Sequence, residues 1–170
     1  MDYTQITHLL KEPVIAALAG TVLGVLLKVA YDWLREKKQL ANFRAILALE
    51  MQSNLELVEP YWEEVMGDRT ARDENNSQRC SRFYRSPFPA FQETAFQAHM
   101  LLLSASLSHE RVKAVLQFYG KLCKLRALKD KNLEECRQHP LGKFSPCDEY
   151  LREADSLIDG LRKSGNPLTK

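Results

Sequence analysis

Four cysteines, four histidines and two pairs of neighbouring acidic or His–acid residues are where this chain has the side chains for catalysis or metal binding. Cys136 and His139 stand at Cys-x-x-His spacing, with a Pro-Leu-Gly turn between His139 and Cys147. A structural zinc takes about four ligands, and the sequence does not supply an evident remainder. No two cysteines have Cys-x-x-Cys spacing, and no basic leader marks a signal peptide, since Asp2, Lys11 and Glu12 make the start slightly acidic. Cys80, Cys123, Cys136 and Cys147 therefore read as reduced thiols, with Cys123 packed on an apolar helix face. His109-Glu110 and Glu63-Glu64 are adjacent in sequence, so on a helix they point in different directions. Phosphate-loop, dinucleotide, zinc-protease and nucleophile-elbow patterns are all missing. The expectation is a non-enzymatic protein with no catalytic residue, no metal ligand and no cofactor.

Two further groups are polar where function would need polarity. Glu50 and Asn54 lie four apart, beside an apolar stripe. That spacing places them on one helix face, as a hydrogen-bonded pair that fixes register in a partly buried setting. Residues 67–87 (GDRTARDENNSQRCSRFYRSP) carry Arg69, Arg72, Arg79, Arg82 and Arg85, with Phe83 and Tyr84 available for stacking. Asp68, Asp73 and Glu74 offset part of that charge, and the segment reads as a solvated polar linker. A formal net charge of +2 does not announce nucleic acid as a partner.

The elements that carry these residues follow from composition and period. Apolar residues make up 45% of the chain, enough for a core, and the few Gly and Pro residues fall between long helical patterns. Pro13 to Leu27 reads PVIAALAGTVLGVLL, apolar all round except for Thr21. Extended to Leu34, a helix rising about 1.5 Å per residue covers about 33 Å, against a hydrocarbon core of roughly 30 Å. Lys28 and Asp32 fall at its C-terminal end, where the lysine can snorkel and the two can pair. Lys28, Tyr31, Trp33, Arg35, Lys37 and Lys38 are the expected interfacial anchors. Ala16, Gly20 and Gly24 repeat at four-residue spacing, a face on which two membrane helices can approach closely. Basic residues follow the span far more than they precede it, which places the C-terminal domain in the cytoplasm.

The organisation is then a tail over 1–12, a transmembrane helix over 13–34, a cytosolic helical domain over 35–163 and a tail over 164–170. The fold class is all-α: the span runs into a long stalk helix to about Met66, followed by a small antiparallel bundle. Phe43, Leu47, Met51, Val58, Trp62 and Val65 form the stalk's inner stripe. A third helix should occupy about 91–103, its AFQAHMLLL run deeply buried and His99 a satisfied core histidine. A fourth, from about Glu110 to Arg137 after an N-cap at Ser108, turns Val112, Val115, Leu116, Tyr119, Leu122, Cys123 and Leu125 inward. Its other side, with Lys113, Lys121, Lys124, Arg126, Lys129 and Lys131, reads as a solvated basic face. The last helix starts around Ser145-Pro146-Cys147-Asp148, presents Leu151, Ala154, Leu157, Ile158 and Leu161, and stops at Ser164-Gly165-Asn166-Pro167.

Three short stretches resemble a class of small prokaryotic single-span membrane-anchored helical proteins. They are Leu47, Glu50, Asn54 and Leu55; Thr94, Ala95 and Phe96, with Phe96 where the class has tryptophan; and Phe118-Tyr119. The resemblance spans about residues 13–125 and implies a cytosolic helical bundle on a membrane stalk, with no activity attached. The expected partners are the lipid bilayer, a second copy of the chain and a protein of unknown identity. Two other readings compete: a membrane-acting effector whose spans oligomerise, and a soluble binder or enzyme with residues 13–27 in its core.

Overall fold

The computed structural model describes residues 13–67, 76–138 and 147–169. It is all-α, with no strand among those residues. Helix α1 runs without a break from Pro13 to Met66. It is followed by α2 (Asn76–Arg85), the short α3 (Thr94–Ala98), a 3-10 turn (Met100–Leu102), α4 (Leu103–Ser106), α5 (His109–Gln138) and α6 (Cys147–Ser164). The chain divides into two compact units after Asn42.

In the first unit α1 contains one stretch long and apolar enough to cross a membrane, and none of that window is buried within the protein. Leu18, Val22, Leu23, Val25, Leu26 and Leu27 are 56–63% exposed. The one polar side chain in the run is satisfied locally: Thr21 donates to the Ala17 carbonyl at 2.9 Å. Lys37 lies over the Trp33 ring, 3.7 Å from its centroid, one helical turn away.

The second unit builds its own core. From Phe43 onward, α1 buries Phe43, Leu47, Met51, Val58, Trp62 and Val65, the stripe expected from the period, and adds Tyr61. These pack with Val115, Phe118, Tyr119, Leu122, Leu125 and Leu128 of α5 and Leu151, Ala154, Ile158 and Leu161 of α6. Cross-links between elements give the directions. Trp62 Nε1 donates to Asp155 at 2.8 Å, Arg162 grips Glu59 at 2.9 and 3.0 Å, and Asn166 Nδ2 donates to the Ala48 carbonyl at 2.7 Å. Numbers rise along α1 as they fall along α6, so α6 runs antiparallel to this part of α1. Lys121 of α5 reaches Gly160 and Ser164 near the end of α6. Gly165, at φ 57°, ends α6 where the sequence placed the stop.

Several expectations fail for physical reasons. The linker contains α2, whose Phe83 is fully buried edge-on to Trp62, 6.2 Å between centroids. Arg82 Nε donates to the Val65 carbonyl at 2.8 Å, so Phe83 and Arg82 serve the core rather than a stacking surface. Arg69 and Arg72 lie outside the described residues. The expected helix over 91–103 is broken into α3, the 3-10 turn and α4, and its apolar run is not deeply buried. Leu101 is 91% exposed, and Met100 and His99 are exposed as well, with His99 edge-on to Phe43. On α5, Leu116 and Cys123 face outward, and their places are taken by Phe118 and Leu128. Cys80 and Cys147 are joined as a disulfide, against the expectation of four thiols. Cys123 and Cys136 are free; His139, Ser145 and Pro146 lie outside the described residues.

Lys129 is the largest departure. Expected on the solvated face, it is 3% exposed. Its ammonium donates to the Phe83 carbonyl, to Tyr84 O at 2.9 Å and to Ser86 O at 3.0 Å. These carbonyls end α2, where unpaired acceptors and the helix dipole both favour a cation. Burial lowers its pKa from 10.5 to about 8, against the pull of Cys136, Asp130 and Glu64. A depressed lysine pKa means that the unfolded chain holds the proton more tightly than the folded one. Stability contributed by this group therefore rises with pH between about 8 and 10. The difference in unfolding free energy between the wild-type protein and Lys129→Met should grow by on the order of 1–2 kcal/mol over that window, read by urea denaturation at stepped pH. A flat difference would show that Lys129 keeps an ordinary pKa in the fold.

Candidate functional site

Between α2 and α3, Pro87 and Pro89 lack N–H groups; Phe91 N donates to Pro89 O at 3.0 Å, and other groups of this stretch take partners from elsewhere. The four-residue step from Glu50 to Asn54 puts both on the α1 face that meets it. Asn54 is fully buried and acts like a neighbouring strand. Its Nδ2 donates to Gln92 O at 2.7 Å, and its Oδ1 accepts from Gln92 N at 2.7 Å.

Glu50 does the same one turn earlier for the start of α3. Residue Glu93, at the N-cap of α3, makes no side-chain capping bond. The exposed donors are met from α1 instead: Glu50 Oε2 accepts from Ala95 N at 2.7 Å and Oε1 from Phe96 N at 3.2 Å. A carboxylate at a helix N-terminus also complements the dipole. Oε1 accepts a third bond from the Tyr119 hydroxyl of α5 at 2.5 Å. The Tyr119 ring stacks on Phe96 at 4.0 Å between centroids. Burial, reinforced by the Glu50 hydrogen bond and charge, pushes the Tyr119 pKa well above the usual phenol range. Glu50 and Asn54 thus fix one segment side by side, each bonded to the backbone over 92–96 rather than to the other as expected.

Residues distant in sequence meet here: Glu50 from α1, Ala95 and Phe96 from α3, and Tyr119 from α5. Chemically the cluster is closed. Glu50 is 5% exposed, and both of its oxygens are occupied by protein donors. Glu50, Gln92 and Ala95 nonetheless form part of the wall of a groove of about 650 Å³, with Ile46, Leu49 and His99. Ile46 and Leu49 of this wall are exposed, as are Met100 and Leu101, which follow His99 in sequence.

The remaining candidates stand along the first part of α1. Ala16, Gly20 and Gly24 are exposed, and a Cβ added at either glycine would meet nothing within 4 Å. Lys28, Tyr31, Trp33, Arg35, Lys37 and Lys38 are exposed too. Sequence reasoning missed Lys129, Asn132 and Asn166 as buried polar residues; only the Asn166-Pro167 stop signal pointed near one of them. Comparison of the chain with family models, with curated proteins and with solved structures gives no match in any of the three.

Removing the clamp leaves buried N–H groups without acceptors. Glu50→Ala should cost about 2–4 kcal/mol of domain stability, the range for losing charge-assisted bonds to a buried site. Glu50→Ala and Tyr119→Phe should be non-additive by about 0.5–3 kcal/mol in a double-mutant cycle measured by denaturant unfolding. Additive losses would mean that the 2.5 Å contact carries no coupling.

Proposed function

We propose that this chain is a non-enzymatic, single-pass membrane-anchored helical protein that serves protein interaction or self-association. The observation that carries this reading is the contrast between the two units. Residues Phe43–Lys170 bury a core of their own, whereas the apolar window of α1 has no protein cover. An apolar helix with no protein around it is stable in hydrocarbon, where its backbone is satisfied internally. This also argues against residues 13–27 belonging to the core of a soluble fold.

The excess of basic residues after the span favours a cytoplasmic domain. Lys28, Tyr31, Trp33, Arg35, Lys37 and Lys38 would hold the helix end at the headgroups, and Lys37 stacked on Trp33 suits that boundary. The small face of Ala16, Gly20 and Gly24 would bring two spans together. The closed clamp around Glu50 supports a binding role over catalysis, because it orders a surface and offers no free reactive group. The exposed apolar residues Ile46, Leu49, Met100 and Leu101 are the place for a protein partner.

Expressed with a C-terminal tag, the full chain should stay in carbonate-washed membranes and require detergent. A folded, monodisperse protein in the soluble fraction would sink the anchor reading. Gly20→Leu with Gly24→Leu should leave the protein in the membrane and reduce cross-linked dimer several-fold; unchanged cross-linking would remove this face from the interface.

A further inference from the structure

The disulfide lies at a junction that no part of the proposed function uses. Cys80 of α2 and Cys147 of α6 are 67 residues apart in sequence, with 6.0 Å between their Cα atoms. In a domain facing the cytoplasm a lasting disulfide is unusual, and those that form there are mostly exchanging or redox-sensing bonds. We propose that Cys80 and Cys147 form a thiol-exchange site, opened and closed by a low-molecular-weight thiol–disulfide couple of the glutathione type. The inference rests on the cytoplasmic orientation proposed above.

The two sulfurs are not equivalent. Cys147 is 2% exposed, whereas Cys80 is only half-buried, so an incoming thiolate reaches Cys80. Cys147 is the first residue of the 18-residue helix α6, and the positive end of a helix stabilises a thiolate. Asp148 and Glu149 share that first turn and act against the dipole, and Asp148 Oδ1 also stands 3.8 Å from Cys80 Sγ, so the roles rest on exposure: Cys80 is the sulfur attacked and Cys147 the one that leaves. Arg79 and Asp148, each next in sequence to one of the cysteines, line a groove of about 520 Å³ with Met66, Leu151, Arg152 and Asp155, the last of which accepts from Trp62 Nε1.

The exchange balances in two steps. A thiolate attacks Cys80 Sγ, forming a mixed disulfide there while the electron pair of the broken bond leaves on Cys147 Sγ. A second thiolate attacks the sulfur of the small molecule, releasing its disulfide and leaving Cys80 as a thiolate, and both cysteines then take protons from solvent. Closure is the reverse, with the small-molecule disulfide as oxidant. The domain does not depend on the bond to hold α2, because Phe83, Arg82 and the Lys129 ammonium pin its C-terminal half to α1 and α5.

The purified full chain in detergent would be equilibrated in glutathione buffers, quenched with a maleimide polymer and scored by gel shift. The closed fraction should fall from nearly all to nearly none as reduced over oxidised glutathione rises from about 1:1 to roughly 1000:1. A bond closed throughout that range is structural and overturns the proposal. Mass spectrometry should find glutathione on Cys80 in Cys147→Ser at least tenfold above that on Cys147 in Cys80→Ser; the opposite order overturns the assignment of roles. Hydrogen exchange of the reduced wild-type chain should loosen residues 76–80 and spare 115–129. Loss of protection across 115–129 would show that the bond holds the fold, and would also overturn the proposal. Protease access to the C-terminal tag in intact cells reports orientation separately, so a domain facing outward fails the earlier reading without touching the titration.

Discussion

A carboxylate taken out of water must find donors, and Glu50 finds three on two different elements. That constraint organises the upper half of the domain. It fixes where α3 begins, because α3 has no capping bond of its own. It fixes the height of α5 against α1 through the Tyr119 hydroxyl. With Asn54 it holds a proline-rich stretch that has few backbone donors to spend on itself. Phe88 and Phe91 then pack edge to face at 5.2 Å, and Phe88 meets Tyr61 at 5.5 Å. The aromatic layer follows from the polar clamp as much as from its own apolar area.

The same solution recurs at other helix ends. Lys129 meets the last carbonyls of α2, and Lys121 donates to Gly160 O at 2.7 Å in the last turn of α6. In each case a long helix supplies, from its middle, the charge that a neighbour's terminus needs: an anion at the start of α3, cations at the ends of α2 and α6. Gly160 leaves room for this, since a Cβ there would stand 3.1 Å from the Lys121 nitrogen. Short helices in a small bundle place many unsatisfied termini near the core. Meeting them with side chains from α1 and α5 lets the core close without long capping loops.

The two units differ in how apolar residues are arranged, and that difference underlies the proposed function. Over residues 16–27 the apolar residues surround the helix; from Phe43 the buried ones keep to one stripe, with Glu50 and Asn54 inside it and Ile46 and Leu49 outside it. A stripe calls for a protein neighbour, and a full apolar coat calls for lipid or other helices. The disulfide adds a covalent tie between two of the packed helices, joining a half-buried residue, Cys80, to a buried one, Cys147.

The sequence by itself determined the helical class, the apolar window of α1, the stripe from Phe43 to Val65 and the stop of α6. Each depends on local period, capping residues or composition within one element. It also marked Glu50 and Asn54 as polar residues on a buried face, because a four-residue step fixes their side of the helix. Only the tertiary structure decided what they bond, since Gln92, Ala95 and Tyr119 come from 38 to 69 residues away. The same holds for Lys129, which period alone assigns to solvent; its burial depends on where α2 ends. The apolar run at 95–103 reads as core by composition, but the chain divides there into α3, the 3-10 turn and α4 and leaves Leu101 outside. Cys80 and Cys147 carry no pairing signal in their spacing, and a disulfide is decided by the distance between two helices that the chain must first fold to bring together.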